Sequence, residues 1–477
     1  MMIRGRKHII LSLSILCILN SISVSCRKNP QEKLLLVTIA KTGRPDPDFI
    51  SGKSWRFVDG AQIATVNLNK PSRLRILTGD FHSACYPEVS YDGKRILFTA
   101  RINENDPWQI WEMKLSTGKT RKIISLSENC VDPVYLPGDR IAFSRHIVND
   151  TVGEGHSLFT CNMYGSNLKQ ITFYPGNYFA PAVLKDGRIL ALSRQLTPSV
   201  KDPVLTVMRP DGTKADMFFK ADPEKVIVNR PRETDDGRIL LVEKYKGSDS
   251  PDNLISINYN RPLHTKKILS SGAKGSFKAV LPLGSGKFMV SFREPESDKY
   301  SVREFNAETG TPDKVVFELK DHDVLDLAIA GEYQRPKKLP SEVDLQVKTG
   351  LLMCQDINFH GFISDAGSNV MPRASKIEIL GIDSTYGIVP VEKDGSFYLK
   401  VLADKPFRIR SLDENNRVLS GECSWMWLRP NERRGCVGCH EDPETVPVNR
   451  IPLAVTKDPV IIPVHITEVR EKSVELE

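Results

Sequence analysis

Past residue 25 the chain has no run approaching the 18 apolar residues that a membrane-crossing helix needs, so the mature protein is expected to be soluble apart from any anchor at its N-terminus. A basic stripe is also missing. The 66 Lys and Arg alternate with 59 Asp and Glu, the formal charge is +7, and part of that belongs to the first few residues, which excludes a nucleic-acid partner. There is one C-x-x-C, at Cys436 and Cys439, and no second to complete a zinc ribbon. The flanks Arg429–Arg434 and Glu441–Pro443 read as turn-rich loop, not the strand-helix-strand setting of a thioredoxin-type pair. The other cysteines beyond residue 26, Cys85, Cys130, Cys161, Cys354 and Cys423, are odd in number and widely spaced, so no disulfide pairing follows from them.

What the lone pair does have is a histidine directly after it. Cys436-Val437-Gly438-Cys439-His440 is a complete C-x-x-C-H, in which two thiols three residues apart each add to one haem vinyl group and the next imidazole binds the iron. One covalent haem c is therefore expected on Cys436 and Cys439, with His440 as iron ligand. Attachment of this kind takes place outside the bacterial cytoplasm, and the N-terminus agrees. Arg4, Arg6 and Lys7 precede a short apolar run from Ile9 to Leu19, and Val24-Ser25-Cys26 closes it with a small residue before a cysteine. A lipoprotein signal peptidase reads that pattern. Residues 1–25 are expected to leave as a signal peptide and Cys26 to carry the lipid, with 26–33 as a tether; plain secretion is the alternative. The expected location is the periplasm or cell envelope, held to a membrane by the lipid anchor.

From residue 34 to 333 the chain repeats. A Pro, a turn and an apolar strand recur as Pro87–Phe98 around Asp92-Gly93, Pro133–Phe143 around Gly138-Asp139, Pro181–Leu192 around Asp186-Gly187, Pro231–Val242 around Asp236-Gly237, and Leu281–Phe292 around Gly284-Ser285-Gly286. Asp-Gly between alternating apolar runs marks a hairpin, and each copy is followed by a further alternating strand such as Gln109–Met113 or Leu254–Ile257. A four-stranded unit at this period is a propeller blade. Pro87–Phe98 resembles the TolB-type β-propeller repeat. Five blades are clear and a sixth can be assembled from Leu34–Ile39, Gln62–Val66 and Leu74–Thr78, which predicts six, with five or seven as alternatives. Nothing in these blades is catalytic in pattern.

Gln334–Ser341 opens an exposed, basic, Pro-containing linker (334–348), and residues 349–477 read as short strands with polar turns, a small β-sandwich-like domain. Trp425, Met426, Trp427 and Leu428 form a cluster large enough to cover a porphyrin face, or an ordinary core. Cys354, Asp356 and His360 lie within seven residues and offer thiolate, carboxylate and imidazole to a zinc ion, with a further ligand from the haem segment.

Signal, propeller, linker, β domain and the stretch from Leu428 to Glu441 together resemble the hydrazine synthase alpha-subunit family, through its propeller and haem-bearing middle domain. The resemblance implies a periplasmic multidomain cytochrome handling small nitrogen compounds. It covers architecture better than substrate, because fold does not fix chemistry. Two departures stand against carrying the reaction over. Thirty-seven residues follow His440, which would leave no room for the further haem domain of longer members, and no tyrosine follows Tyr398 to serve as an iron ligand.

Two classes of function stay open. One is redox handling of a small molecule at the haem, or electron transfer to a redox partner; the other is a propeller that binds a protein partner on its face, with the haem as sensor or staple. A far ligand to the iron would come from Met353, Met371, Met426, His360 or His465, or from the propeller histidines His82, His146, His156, His264 and His322. No methionine follows Met426, so a C-terminal Met ligand is excluded. Some 300 residues of propeller ahead of one haem favour an open position within a walled pocket, with Arg433, Arg434 or a propeller histidine as hydrogen-bond donor to a bound molecule.

Overall fold

The computed structural model describes residues 34–41, 58–149, 153–197, 200–247, 250–359, 373–421, 424–438, 444 and 449–464. Among them the chain is strand and turn, with one short 3-10 turn at Leu453–Thr456 and no helix long and apolar enough to cross a membrane.

Six four-stranded blades make up the first part. Blade 2 is Ser83–Val89, Arg95–Arg101, Gln109–Lys114 and Thr120–Lys122, each pairing antiparallel with the next. Blade 3 (Cys130–Leu136, Arg140–Asn149, Gly153–Asn162, Lys169–Gln170) and blade 4 (Gly176–Val183, Ile189–Gln195, Val204–Met208, Asp216–Phe219) repeat the meander and are stitched by one parallel bridge between His156 and Asn177. In blade 5 the inner strand is broken into Lys225–Ile227 and Arg232–Glu233, both on Arg238–Tyr245, followed by Asn253–Asn258 and Lys267–Ile268. Blade 6 runs Ser276–Gly284, Lys287–Arg293, Ser301–Asn306, Thr311–Phe317. Blade 1 is composite. Leu34–Lys41, Gln62–Asn67 and Lys70–Ile76 supply three strands, and His322–Ala330, from the far end of the ring, is the fourth, pairing with Leu34–Lys41 from Leu34↔Ala330 to Lys41↔His322. The ring is thus closed by hydrogen bonds between its first and last strands, which removes two open sheet edges.

Apolar residues on both faces of each blade pack against the next, so the cores lie between blades; Leu190, Leu192 and Leu205 of blade 4 meet Ile239, Leu241 and Ile255 of blade 5. The prolines of the repeat have a structural role. Tyr86, Asp132 and Ala180, each before a proline, take positive φ of 57°, 55° and 51° at a bulge in the inner strand. A left-handed conformation costs such residues about 1–2 kcal/mol. It turns the backbone N–H toward another inner strand or the preceding blade: Tyr86 N donates to Thr38 Oγ1 (3.1 Å), Asp132 N to Thr99 Oγ1 (3.0 Å) and Ala180 N to Asp132 Oδ2 (2.9 Å). Charge crosses the axis. Arg230 of blade 5 meets Glu88 of blade 2 at 3.1 Å and Asp132 of blade 3 at 3.8 Å, while Arg232 meets Glu88 and Asp326 of blade 1, both at 3.6 Å.

The linker is exposed, as its composition predicts, yet it is laid along the propeller. Tyr333 N donates to Tyr91 O, Lys337 N to Lys185 O, and Arg209 reaches Pro340 O. The Asp-Gly turn of blade 4 is tight against it: a Cβ on Gly187 would sit 2.1 Å from the Lys337 carbonyl oxygen. That glycine serves both a positive φ of 92° and a close approach.

The remaining strands form a two-sheet sandwich. One sheet is ordered Arg433–Cys436, Thr349–Cys354, Phe397–Leu402, Val460–Ile461; the other Thr385–Pro390, Lys376–Leu380, Arg408–Leu412, Val418–Ser420. Between them lie Leu352, Ile377, Ile379, Val389, Leu399, Phe407 and Leu428, all buried.

Candidate functional site

The C-x-x-C-H segment enters from a strand. Arg433–Cys436 is the edge strand of the first sheet and pairs parallel with Thr349–Cys354, from Leu351↔Arg433 to Cys354↔Cys436. This corrects the reading of Arg433 and Arg434 as loop. Arg-Arg-Gly-Cys has little strand propensity of its own, and the neighbouring strand imposes the conformation. Cys436 is half-buried against the sandwich core. Its carbonyl accepts from Gln355 N (2.9 Å), and Val437 O accepts from Asp356 N (3.1 Å). Gly438 is pressed on Phe359, whose carbonyl oxygen would lie 2.3 Å from a Cβ there. Cys439 and His440 lie outside the described residues, as do the signal segment with Cys26, and also His360, Met371, Cys423 and His465.

Cys436 fits a thioether site: it is half-buried at the end of an edge strand, with Cys439 three residues on in the sequence. The zinc trio is only partly placed. Cys354 is buried and in register with Cys436, whereas the Asp356 carboxylate already accepts from Asn358 N (3.0 Å) and faces Arg450 at 3.8 Å. Among the described residues no three His, Cys, Asp or Glu side chains gather at metal-binding distances.

The tryptophans do something other than cover a porphyrin. Trp425 and Trp427, 6 % and 3 % exposed, insert into the apolar cluster of blades 3 and 4. Trp427 lies edge-on to Tyr178, with ring centres 6.3 Å apart, and 5.7 Å from Tyr174, while Trp425 Nε1 donates to Thr197 O. Burial pushes the Tyr174 phenol up to about 12. Leu428 turns the other way, into the sandwich core. This stretch is the clasp between the two parts of the molecule. The sequence signal was sound as a cluster; its partner, an aromatic pair 250 residues earlier, had no mark of its own.

Two glutamates that sequence reasoning passed over flank the motif. Glu432 is fully buried and accepts from Lys214 N, Arg429 N and the Arg434 guanidinium, each at 2.8 Å. Glu444, 10 % exposed, accepts from Leu263 N at 2.8 Å and meets Arg261 at 3.4 Å, with His264 at 4.0 Å. Of the five propeller histidines, His264 is the one the structure brings beside the segment. His82 pairs with Asp59 and Ser83, and His146 and His156 lie tilted against each other, ring centres 5.2 Å apart, at the blade 3 hairpin. His322 begins the closing strand.

Residues 362–441 match the hydrazine synthase alpha subunit middle domain. Hydrazine synthase subunit alpha of Kuenenia stuttgartiensis is 21 % identical over 542 aligned residues, which take in 87 % of this chain and 66 % of that protein, so the chain spans just under two thirds of the relative's length. The solved Kuenenia stuttgartiensis hydrazine synthase superposes with a TM-score of 0.76 at 18 % identity, over 89 % of this chain and 71 % of that one, which shows a shared fold. TolB from Acinetobacter baumannii is 14 % identical over 61 % of this chain and 66 % of its own, with a TM-score of 0.41. The matched middle domain contains the C-x-x-C-H, and in sequence and fold the chain is similar to the hydrazine synthase alpha subunit.

Proposed function

We propose that the protein is an exported, lipid-anchored, single-haem c-type cytochrome that carries out redox chemistry on a small nitrogen-containing molecule, in assembly with partner subunits. The observation that carries this reading is an intact C-x-x-C-H whose first cysteine, Cys436, ends a sandwich edge strand, with Glu444, four residues past the motif, bonded to an outer turn of the propeller. Cys436 and Cys439 would hold the haem through thioethers and His440 would face the iron; when bound, the group supplies one-electron chemistry and, with an open axial position, a place for a small ligand. The chain's own part is to fix that segment and to wall it with propeller and sandwich. Arg434 is occupied by Glu432, while Arg433 is exposed on the same strand and His264 stands 4.0 Å from Glu444.

The test is production with a cytochrome c maturation system. The wild type should keep haem colour on a denaturing gel, and the pair Cys436→Ala, Cys439→Ala should lose it. Carbon monoxide and nitric oxide should shift the reduced spectrum. A six-coordinate low-spin spectrum indifferent to both gases would make electron transfer the better reading, and a colourless, correctly exported wild type would end the haem proposal and leave a propeller-based binding lipoprotein. Fractionation of wild type and Cys26→Ala tests the anchor: only the wild type should sediment with membranes. A second reading, zinc on Cys354, Asp356 and His360, rests on Cys354 standing in register with Cys436; metal analysis of Cys354→Ala decides it.

A further inference from the structure

The two glutamates that bracket the motif do matching things. Glu432, four residues before Cys436, accepts a hydrogen bond from Lys214 N, in the outer turn between Val204–Met208 and Asp216–Phe219 of blade 4. Glu444, four residues after His440, accepts one from Leu263 N, in the outer turn between Asn253–Asn258 and Lys267–Ile268 of blade 5. Both bonds are 2.8 Å, and Lys214 and Leu263 are 49 residues apart (263 − 214), one repeat of the propeller. Each carboxylate is shielded from solvent and carries further cationic contacts, Arg434 on one and Arg261 on the other. A charge-assisted hydrogen bond to a shielded carboxylate is stronger than a neutral one.

We infer that Glu432 and Glu444 are positioning residues that sling the C-x-x-C-H segment between equivalent turns of two adjacent blades, so that the propeller sets the orientation of the haem that segment carries. The inference rests on the haem reading given above and adds to it a role for the propeller: a rigid frame with two attachment points one repeat apart. Glu432 also organises its own loop through Arg429 N, and the substitutions are therefore made at Glu444.

The experiment uses the full haem-loaded chain as wild type, Glu444→Ala, Glu444→Gln and Glu444→Asp, with Glu304→Ala on the exposed face of blade 6 as control. Glutamine keeps an acceptor for Leu263 N and loses the charge toward Arg261; alanine loses both. Glu444→Ala is expected to retain covalent haem, to shift the midpoint potential and the low-spin EPR signature, and to speed hydrogen exchange across residues 436–450 about tenfold, the factor that about 1.4 kcal/mol of lost restraint implies. Glutamine should fall between alanine and wild type, and aspartate should restore part of the shift. Wild-type potential, EPR and exchange in Glu444→Ala would overturn the inference. If the wild type carries no haem, the functional reading fails by itself; exchange over 436–450 and alkylation rates of Cys436 and Cys439 in the haem-free chain still decide the suspension, supporting it if alanine accelerates both and refuting it if neither changes.

Discussion

The propeller and the sandwich are both sheet, but they solve the edge problem differently. In the propeller every blade repeats its neighbour, and the two strands that would be left open are spent on each other, Leu34–Lys41 against His322–Ala330. The sandwich repeats nothing, keeps its edges, and uses one of them, Arg433–Cys436, to present the motif. The ring leaves only the short outer edges of its blades, whereas the sandwich ends one sheet in the strand that carries the first cysteine of the motif. The difference teaches how such a chain divides its parts: regular architecture supplies the frame, and the irregular part, held against it, carries the C-x-x-C-H.

The largest test of that contrast is closure. Leu327, fully buried in the last strand, should not tolerate Asp: Leu327→Asp is expected to unfold the whole propeller, seen as loss of cooperative melting and rapid proteolysis, because opening one joint exposes two edges. Leu399→Asp in the sandwich core should leave a protease-resistant fragment of propeller size. If both variants lose everything, the two parts are one cooperative unit and the contrast is wrong.

Next comes the clasp. Trp427→Ala removes a buried ring from the cluster of blades 3 and 4 and should cost about 3 kcal/mol. Calorimetry should show one transition splitting into two as the sandwich detaches. An unsplit transition displaced downward would place Trp427 in the propeller's own core.

Smaller effects separate turn chemistry from linker contact. Gly187 and Gly237 occupy equivalent turns with φ of 92° and 82°. A Cβ on Gly237 meets nothing within 4 Å, whereas one on Gly187 collides with Lys337 O. Gly237→Ala should cost about 1 kcal/mol, from backbone strain alone, and Gly187→Ala roughly twice that with increased proteolysis near Lys337. Equal costs would mean that the linker contact contributes nothing.

The effect that vanishes at neutral pH belongs to His156. Burial lowers its imidazole to about 4, from an ordinary 6.5. Between those values the unfolded chain takes up a proton that the folded one refuses, so stability present above pH 6.5 is lost as the pH falls toward 4, by up to about 3 kcal/mol. His156→Gln should flatten that part of the melting-temperature profile relative to wild type and leave pH 7 unchanged in slope.

Much of the ring was legible because its physics is local. A Pro, an Asp-Gly turn and an alternating strand say where each blade begins without reference to any other blade, and Leu34–Ile39 with Gln62–Val66 supplied most of the sixth. His322–Ala330 was missed because a closing strand follows no hairpin of its own; it has the alternation and lacks the turn. The strands of the sandwich were readable for the same local reason, as in Phe397–Leu402 and Lys376–Leu380. The motif was legible as a string, but its strand conformation depends on Thr349–Cys354, some eighty residues earlier, and the tryptophans' partners lie in another part of the molecule. Glu432 and Glu444 carried no sequence signal, since a glutamate that accepts from a distant backbone N–H looks like any surface acid.

Joining the first strand to the last also sets a clock. Leu34 has no partner on the axis side of its strand until Ala330 has been made, so blade 1 stays open while five others form, and the frame becomes complete just before the chain reaches Thr349. The turns holding Lys214 and Leu263 are by then already in place. Residues 432–444 emerge later, so the order of synthesis brings Glu432 and Glu444 to propeller turns that exist before they do.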